Sequence, residues 1–166
     1  LTSSQILPEC QDLFLKKINI VNVIKKSLDF IKMTSKSSIN LITKDKEIFI
    51  NGDEDQLNRV FINLIKNSQE AIDEISKKDT KFKGNIDIEI DNNNDYIVCR
   101  LTDNGSGITD PKKAMTPYFT TKKTGTGLGL PIVTKIINEH LGDFSIRNKK
   151  KGKGTIISIS LPKLNA

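Results

Sequence analysis

The stretch IDIEIDNNNDYIVCRLTDNGSG, residues 86–107, decides the fold class. Apolar and acidic residues alternate strictly from Ile86 to Ile90, three asparagines then supply a turn, and a returning strand runs from Tyr96 to Thr102. This pattern predicts an antiparallel hairpin. Its second strand ends at Asp103, so a carboxylate stands between a buried-looking strand and a glycine-rich loop.

Helical periodicity lies on both sides of this hairpin. Apolar residues recur every three or four positions from Ile20 to Ile31, which predicts one amphipathic helix. Asp53 followed by Gln56 resembles a capping box, and the apolar stripe that follows predicts a long second helix. The same spacing predicts a third helix from Gly129 to His140 that stops at Gly142.

Short strands complete the pattern. Two are predicted before the long helix, at Ile39–Ile42 and Glu47–Asn51, and a second hairpin, Phe144–Arg147 with Thr155–Leu161, closes the chain. Helices and antiparallel hairpins in this order predict an α+β fold with the helices on one face of a sheet.

Length and composition favour one domain. A chain of 166 residues that is 36% hydrophobic is long enough for a single core. Residues 1–16 show no sustained periodicity, so we expect them to be a linker from a preceding module, with the domain at residues 17–166. No stretch is long and apolar enough for a membrane span or a signal peptide, so we expect this piece not to be membrane-bound. Because it begins with Leu1, we expect it to belong to a longer protein.

The net charge of +6 suits nucleic acid, anionic lipid or a polyphosphate ligand, and charge alone does not choose among them. The absence of Trp and of interleaved basic and aromatic residues argues against nucleic acid. The lysines of residues 149–153 are typical of a solvated turn. The two cysteines, Cys10 and Cys99, lie in unlike contexts and indicate neither a disulfide nor a zinc site, which is typical of a reducing cytoplasm.

Five of the ten glycines fall between Gly105 and Gly129, so this segment needs unusual backbone freedom. Residues 125–130, GTGLGL, open the third helix, and exposed backbone N–H groups at a helix start form an anion site. The spacing matches neither the P-loop nor the dinucleotide fingerprint. A merely flexible surface loop is the alternative for the glycines taken alone.

Polar side chains accompany the glycines. Asp103 ends a strand, where its carboxylate can accept a hydrogen bond from a base amine, although an ordinary Asx turn uses the same residues. Asn63 and Asn67 lie one turn apart at the edge of the apolar stripe of the long helix. They either line a cleft or are two solvated asparagines.

Together these motifs resemble the ATP-binding catalytic domain of sensor histidine kinases, within the wider group shared with gyrase-type topoisomerases and heat-shock chaperones (GHKL). Residues 63–67, NLIKN, resemble the N box, and residues 103–107, DNGSG, resemble the first glycine box. Residues 117–122, PYFTTK, and 125–130 resemble the F box and the second glycine box. The Thr-Thr-Lys after Phe119 is most similar to nitrogen-regulation and sporulation kinases.

The resemblance implies a two-layer α+β sandwich, in which three helices cover a mixed, mostly antiparallel sheet and ATP lies between two helices and a lid. It implies that Asp103 binds the adenine amine, that Asn67 ligates Mg²⁺, and that Asn63 and Asn67 are the catalytic pair. Thr155 is similar to the family threonine beside the adenine. The residues that the resemblance places around the nucleotide are Asn63, Lys66, Asn67, Asp103, Gly105, Gly107, Ile108, Phe119, Thr120, Thr121, Lys122, Gly125, Thr126, Gly127, Leu128, Gly129, Leu130 and Thr155.

The nucleophile is expected outside this chain. His140 is the sole histidine, lacks the acidic neighbour of family acceptor histidines, and is interpreted as a helix-end residue favoured by the dipole. Many relatives carry a basic residue where this chain has Glu70, which leaves the phosphate-binding lysine open.

The resemblance implies two partners, the phosphoacceptor helices of the same kinase and a response regulator receiver domain. It also implies a cytoplasmic location, as part of a kinase that is itself membrane-anchored or free. Three alternatives stay open: a GHKL-type ATPase, an anti-sigma-type serine kinase, and a non-catalytic nucleotide-sensing module.

Overall fold

The computed structural model describes residues 13–110, 112 and 129–164. Within them the chain forms seven strands and three helices. In chain order they are β1 (Lys16–Asn19), α1 (Ile20–Lys32), β2 (Ser38–Thr43), β3 (Phe49–Gly52), α2 (Glu54–Ser76), β4 (Asn85–Asn92), β5 (Tyr96–Asp103), α3 (Gly129–Glu139), β6 (Asp143–Asn148) and β7 (Thr155–Pro162).

Five strands form the main sheet, in the order β2-β4-β5-β7-β6. The predicted hairpin is confirmed, since β4 and β5 pair antiparallel and place Ile86 opposite Asp103. β7 pairs antiparallel with both β5 and β6, whereas β2 runs parallel to β4. The sheet is therefore mixed and mostly antiparallel, as predicted.

The helices cover one face of this sheet, so the predicted two-layer α+β architecture is confirmed. Every second residue of β5 and β7 is buried, and so is every second residue of β4 up to Ile90, which is the pattern of a sheet with one face in a core. α2 lies between α1 and α3 and contacts both. The core is rich in isoleucine and leucine, with Phe61 its largest fully buried side chain. Among the described residues, no helix is long and apolar enough to cross a bilayer.

A second, two-stranded sheet pairs β1 with β3 antiparallel. β1 was not predicted, because four residues carry too little periodicity to be distinguished from a linker. Asn19 ends this strand and caps α1, where its Oδ1 accepts hydrogen bonds from the N–H groups of Val21 and Ile48. Most of the predicted linker, residues 1–16, lies outside the described residues, and the domain boundary stays a prediction.

The end of α3 differs from the prediction that the helix stops on Gly142. Leu141 is the residue in the left-handed region, with φ of 60°. The N–H groups of Leu141 and Gly142 bond the carbonyls of Asn138 and Ile137, which is a Schellman motif with leucine at its left-handed position. Gly142 is needed for another reason: a Cβ there would lie 2.3 Å from the carbonyl oxygen of Ser160 on β7.

Candidate functional site

Asp103 is the centre of the candidate site. Its side chain is 3% exposed at the end of β5. One carboxylate oxygen, Oδ1, accepts hydrogen bonds from the backbone N–H groups of Gly105 at 2.9 Å and Thr155 at 3.2 Å. The described residues supply no donor to Oδ2. The strand end thus holds a buried carboxylate with one oxygen used by the chain and the other available to a ligand.

The loop that follows, residues 103–108, packs against α2. A Cβ at Gly105 would lie 2.7 Å from the Cβ of Ala71, so only glycine permits this approach. The next residue strengthens the contact, because Ser106 donates its N–H to the carbonyl of Ala71 and its hydroxyl to Glu74 Oε2 at 2.7 Å. The loop is therefore fixed one helical turn beyond Asn67.

The two N-box asparagines lie on α2 and are half-buried. The Nδ2 atom of Asn67 lies 3.8 Å from the position that a Cβ on Gly129 would occupy, so this amide faces the first residue of α3. Lys66, between the asparagines, is exposed. The structure thus brings the first glycine box, the N box and the start of α3 together around α2.

β7 closes the other side of the loop. Thr155 is buried, and the glycine before it, Gly154, has φ of 133°. A Cβ on Gly154 would lie 2.0 Å from the carbonyl oxygen of Asp103, so the two chain segments touch backbone to backbone. Only glycine allows this contact.

Part of the predicted site lies outside the described residues. These predictions concern Phe119, Thr120, Thr121, Lys122, Gly125, Thr126, Gly127 and Leu128. Gly129 and Leu130 are described and form the first turn of α3.

Asn148 is a residue near the site that the sequence did not indicate. It ends β6, and its side chain bonds the backbone of Ile108 in both directions, at 2.8 and 2.6 Å. One asparagine before a lysine turn carries no signal of its own. Its position opposite Thr155, in the register of β6 with β7, is what places it beside the loop.

His140 requires a correction. It is buried beside the start of α2, where its Nε2 accepts the N–H of Asp53 at 3.0 Å and its Nδ1 lies 2.7 Å from the carbonyl oxygen of Ile136. A backbone N–H only donates and a carbonyl only accepts, so these bonds require the neutral ring with its proton on Nδ1. The predicted place at the end of the helix is confirmed, because His140 directly follows Glu139, the last residue of α3. The predicted gain from the helix dipole is wrong, because a neutral ring carries no charge to interact with it. His140 joins the end of α3 to the start of α2.

The same contact corrects the predicted capping box. Asp53 caps α2 as predicted, with its Oδ1 accepting the N–H of Gln56 at 3.1 Å. The reciprocal bond, from Asp53 N–H to the Gln56 side chain, is absent because His140 takes that N–H. The Oε1 of Gln56 is buried and has no hydrogen-bond partner within the described part of the chain.

Comparisons with known proteins agree with this geometry. Residues 52–165 match the family described as "Histidine kinase-, DNA gyrase B-, and HSP90-like ATPase". The chain belongs to this family.

Its relatives include sensor kinases with further domains. Sporulation kinase E of Bacillus subtilis is 31% identical over 98% of this chain and 22% of its own length. The sensor histidine kinase ZraS of Salmonella typhimurium is 35% identical over 90% of this chain and 32% of its own length. This chain therefore spans about a fifth to a third of these relatives.

Solved structures show the same fold. The nucleotide-free catalytic domain of histidine kinase ThkA superposes with a TM-score of 0.76 at 26% identity, covering 90% of this chain and 96% of that domain. The predicted resemblance to the catalytic domains of histidine kinases is confirmed.

Proposed function

We propose that this domain binds Mg·ATP and transfers its γ-phosphoryl group to a histidine on a separate dimerisation domain of the same kinase. In this proposal the kinase works in the cytoplasm, where ATP is available, and passes the phosphoryl group to a response regulator receiver domain. The observation that carries the proposal is the Asp103 carboxylate, which has one oxygen held by the chain and one without a donor among the described residues.

Asp103 suits recognition of adenine. A carboxylate oxygen accepts the hydrogen bond of an exocyclic amine, and burial makes a charge-assisted bond of this kind strong. Two backbone donors fix the orientation of the carboxylate before the base arrives, so binding does not have to order it. Thr155 lies beside Asp103, because its backbone N–H is one of these two donors.

The described residues are compatible with Mg²⁺ held mainly by phosphates. No cluster of three His, Cys, Asp or Glu side chains occurs among them. Mg²⁺ bound with nucleotide commonly takes one or two protein oxygens, with phosphates and water completing its shell. Asn67 Oδ1 would be the protein ligand, and bound Mg²⁺ would neutralise phosphate charge. Asn63 and Lys66 would lie near the phosphates, and the start of α3 would offer backbone N–H groups.

The chain's own residues favour transfer over hydrolysis. Asn63 holds the first N-box position, and an amide cannot accept a proton at neutral pH. Glu70 lies two turns further along α2, which makes it a poor substitute by spacing. Without a positioned base, water attacks slowly, whereas an acceptor histidine is itself the nucleophile.

Calorimetric titration with Mg·ATP tests the binding step. Asp103→Asn keeps an Oδ1 for Gly105 and Thr155 but replaces Oδ2 with an amide donor. We expect the affinity to fall about ten- to a hundredfold, the loss of one charge-assisted hydrogen bond. Asp53→Asn is the matched control, because asparagine caps a helix as well as aspartate does. This variant should bind Mg·ATP with the same affinity as the wild type. Equal binding by both variants would refute the adenine assignment.

A transfer assay tests the reaction. Incubated with labelled ATP, the domain alone should not form phosphohistidine, and it should phosphorylate its native acceptor helices when they are added. Its hydrolysis of ATP should stay far below about 10 per second, a typical enzyme turnover. Sustained hydrolysis near that rate would favour an ATPase. Transfer to a serine of a protein partner would favour the anti-sigma-type kinase. ATP binding without transfer or hydrolysis would favour a non-catalytic nucleotide-sensing module.

A further inference from the structure

The hairpin of β6 and β7 holds the loop of residues 103–108 at both ends. At the start of the loop, Thr155 N–H bonds Asp103 Oδ1. At its end, Asn148 bonds the backbone of Ile108. Asn148 and Thr155 are directly opposite each other in the register of the two strands. One pair of facing hairpin residues thus contacts both ends of the loop.

The contact of Asn148 imitates strand pairing. Its Nδ2 donates to the carbonyl oxygen of Ile108 at 2.6 Å, and its Oδ1 accepts the N–H of Ile108 at 2.8 Å. The residue before, Gly107, has φ of 84°, and a Cβ on it would lie 3.0 Å from Asn148 Oδ1. A left-handed glycine is therefore needed to turn the backbone of Ile108 toward this amide.

The other contacts of the loop involve Asn104 and Ser106 and do not fix Ile108 at its end. Asn104 is held by Asn85 at the edge of β4, and Ser106 is held by Ala71 and Glu74 on α2. Among the described residues, the backbone bonds of Ile108 go to Asn148 alone.

We propose that Asn148 is a positioning residue for the nucleotide: by fixing Ile108 it keeps the loop of residues 103–108 in the form that binds ATP. The inference rests on the proposed function, because it assigns ATP affinity to this loop. The apparent dissociation constant of a ligand rises as the fraction of protein in the binding-competent form falls. Among the described residues, the side chain of Asn148 makes no hydrogen bond to Asp103 or to the N-box asparagines, so we expect it to act on binding rather than on transfer.

The test compares wild type, Asn148→Ala, Asn148→Asp and Asn94→Ala. Asn94 is an exposed asparagine in the turn between β4 and β5, at the opposite end of the sheet, and serves as the matched control. For Asn148→Ala we expect the dissociation constant for Mg·ATP to rise about five- to twentyfold, the lower part of the range for two ordinary hydrogen bonds, because both bonds are exposed. Asn148→Asp should bind at least as weakly, because its second oxygen would face the carbonyl of Ile108. Asn94→Ala should bind as the wild type does.

Two further measurements separate positioning from a general loss of structure. In nucleotide-free Asn148→Ala, the Ile108 amide should exchange its hydrogen faster, and the melting temperature should fall by no more than about 5 °C, the loss expected from the two hydrogen bonds alone. Transfer to the acceptor helices should show a raised KM for ATP and a kcat within twofold of the wild type.

Unchanged affinity of Asn148→Ala, in a wild type that binds ATP, would overturn the inference. A lowered kcat with an unchanged KM would also overturn it. A wild type that binds no ATP would instead overturn the proposed function, and this inference with it.

Discussion

Two buried aspartates occupy equivalent places in this fold and have different consequences. Asp53 follows β3 and is 7% exposed, and Asp103 ends β5 and is 3% exposed. Both accept hydrogen bonds from nearby backbone N–H groups. Asp53 uses both oxygens in this way, with Oδ1 bonded to Gln56 and Oδ2 to Phe14. Asp103 uses only Oδ1 among the described residues.

The difference separates structure from function. A buried carboxylate satisfied entirely by its own chain stabilises the fold, and nothing is left to recognise a ligand. A carboxylate with one oxygen bonded by the chain is already oriented before a ligand arrives, so binding loses no free energy in ordering it. Its second oxygen stabilises the complex when the ligand donates a hydrogen bond to it. Substitutions of Asp53 should therefore change the free energy of unfolding, whereas substitutions of Asp103 should change the affinity for ATP.

The largest effect is expected where the backbone touches Asp103. Gly154→Ala would place a Cβ 2.0 Å from the Asp103 carbonyl at φ of 133°, and should lower the free energy of unfolding by about 3 kcal/mol or more. Gly152→Ala, at φ of 73° with nothing within 4 Å, should cost only about 1 kcal/mol. Urea unfolding of both variants is the measurement. Equal losses would show that the close approach to Asp103 is unimportant.

The second prediction uses Cys99 as a reporter of unfolding. Burial raises the pKa of this thiol on β5 to about 12, so it should react with thiol reagents at pH 8 only when the protein opens. In a Cys10→Ser background, Mg·ATP at a hundred times the wild-type dissociation constant should slow the labelling of Cys99 about a hundredfold. The variants are measured at this same concentration. The same slowing is expected for Asp53→Asn, and less than about tenfold slowing for Asp103→Asn. Equal slowing in both would remove the distinction between the two aspartates.

Asp53→Ala should affect stability without affecting the nucleotide. It removes the cap of α2 and the acceptor for Phe14 N–H, so we expect the free energy of unfolding to fall by about 2 kcal/mol. Asp53→Asn, which keeps the cap, should lose much less. Thermal unfolding and calorimetric titration of both variants provide the measurement, and weaker ATP binding by Asp53→Ala would contradict the separation.

The smallest effect is expected at Leu141, which follows His140, the residue that accepts the N–H of Asp53. Leu141 adopts φ of 60° with its side chain 81% exposed, so Leu141→Gly relieves backbone strain and loses little packing. We expect a gain of about 1 kcal/mol in the free energy of unfolding, with unchanged ATP affinity. Leu141→Ala retains the strained backbone and should show no gain. A gain in both would assign the effect to the exposed leucine side chain instead.

Much of the fold follows from local patterns. The hairpin of β4 and β5, the three helices and the cap at Asp53 depend on spacings of two to four residues, and the structure confirms them. The position of Asp103 at a strand end belongs to the same group, because alternation along one strand determines where that strand ends. The roles assigned to Asn63, Asn67 and Thr155 stay predictions.

The sequence by itself determined which segments form the helices and every strand except β1, and where carboxylates, amides and glycines stand along them. Tertiary structure alone decided that β1 pairs with β3, that β2 lies parallel to β4, and that His140 accepts the N–H of Asp53. It also decided that Asn148 holds Ile108. The physical reason is distance along the chain: Asp53 and His140 are 87 residues apart, and Ile108 and Asn148 are 40 apart. Such contacts depend on how whole elements pack, and no local periodicity encodes them.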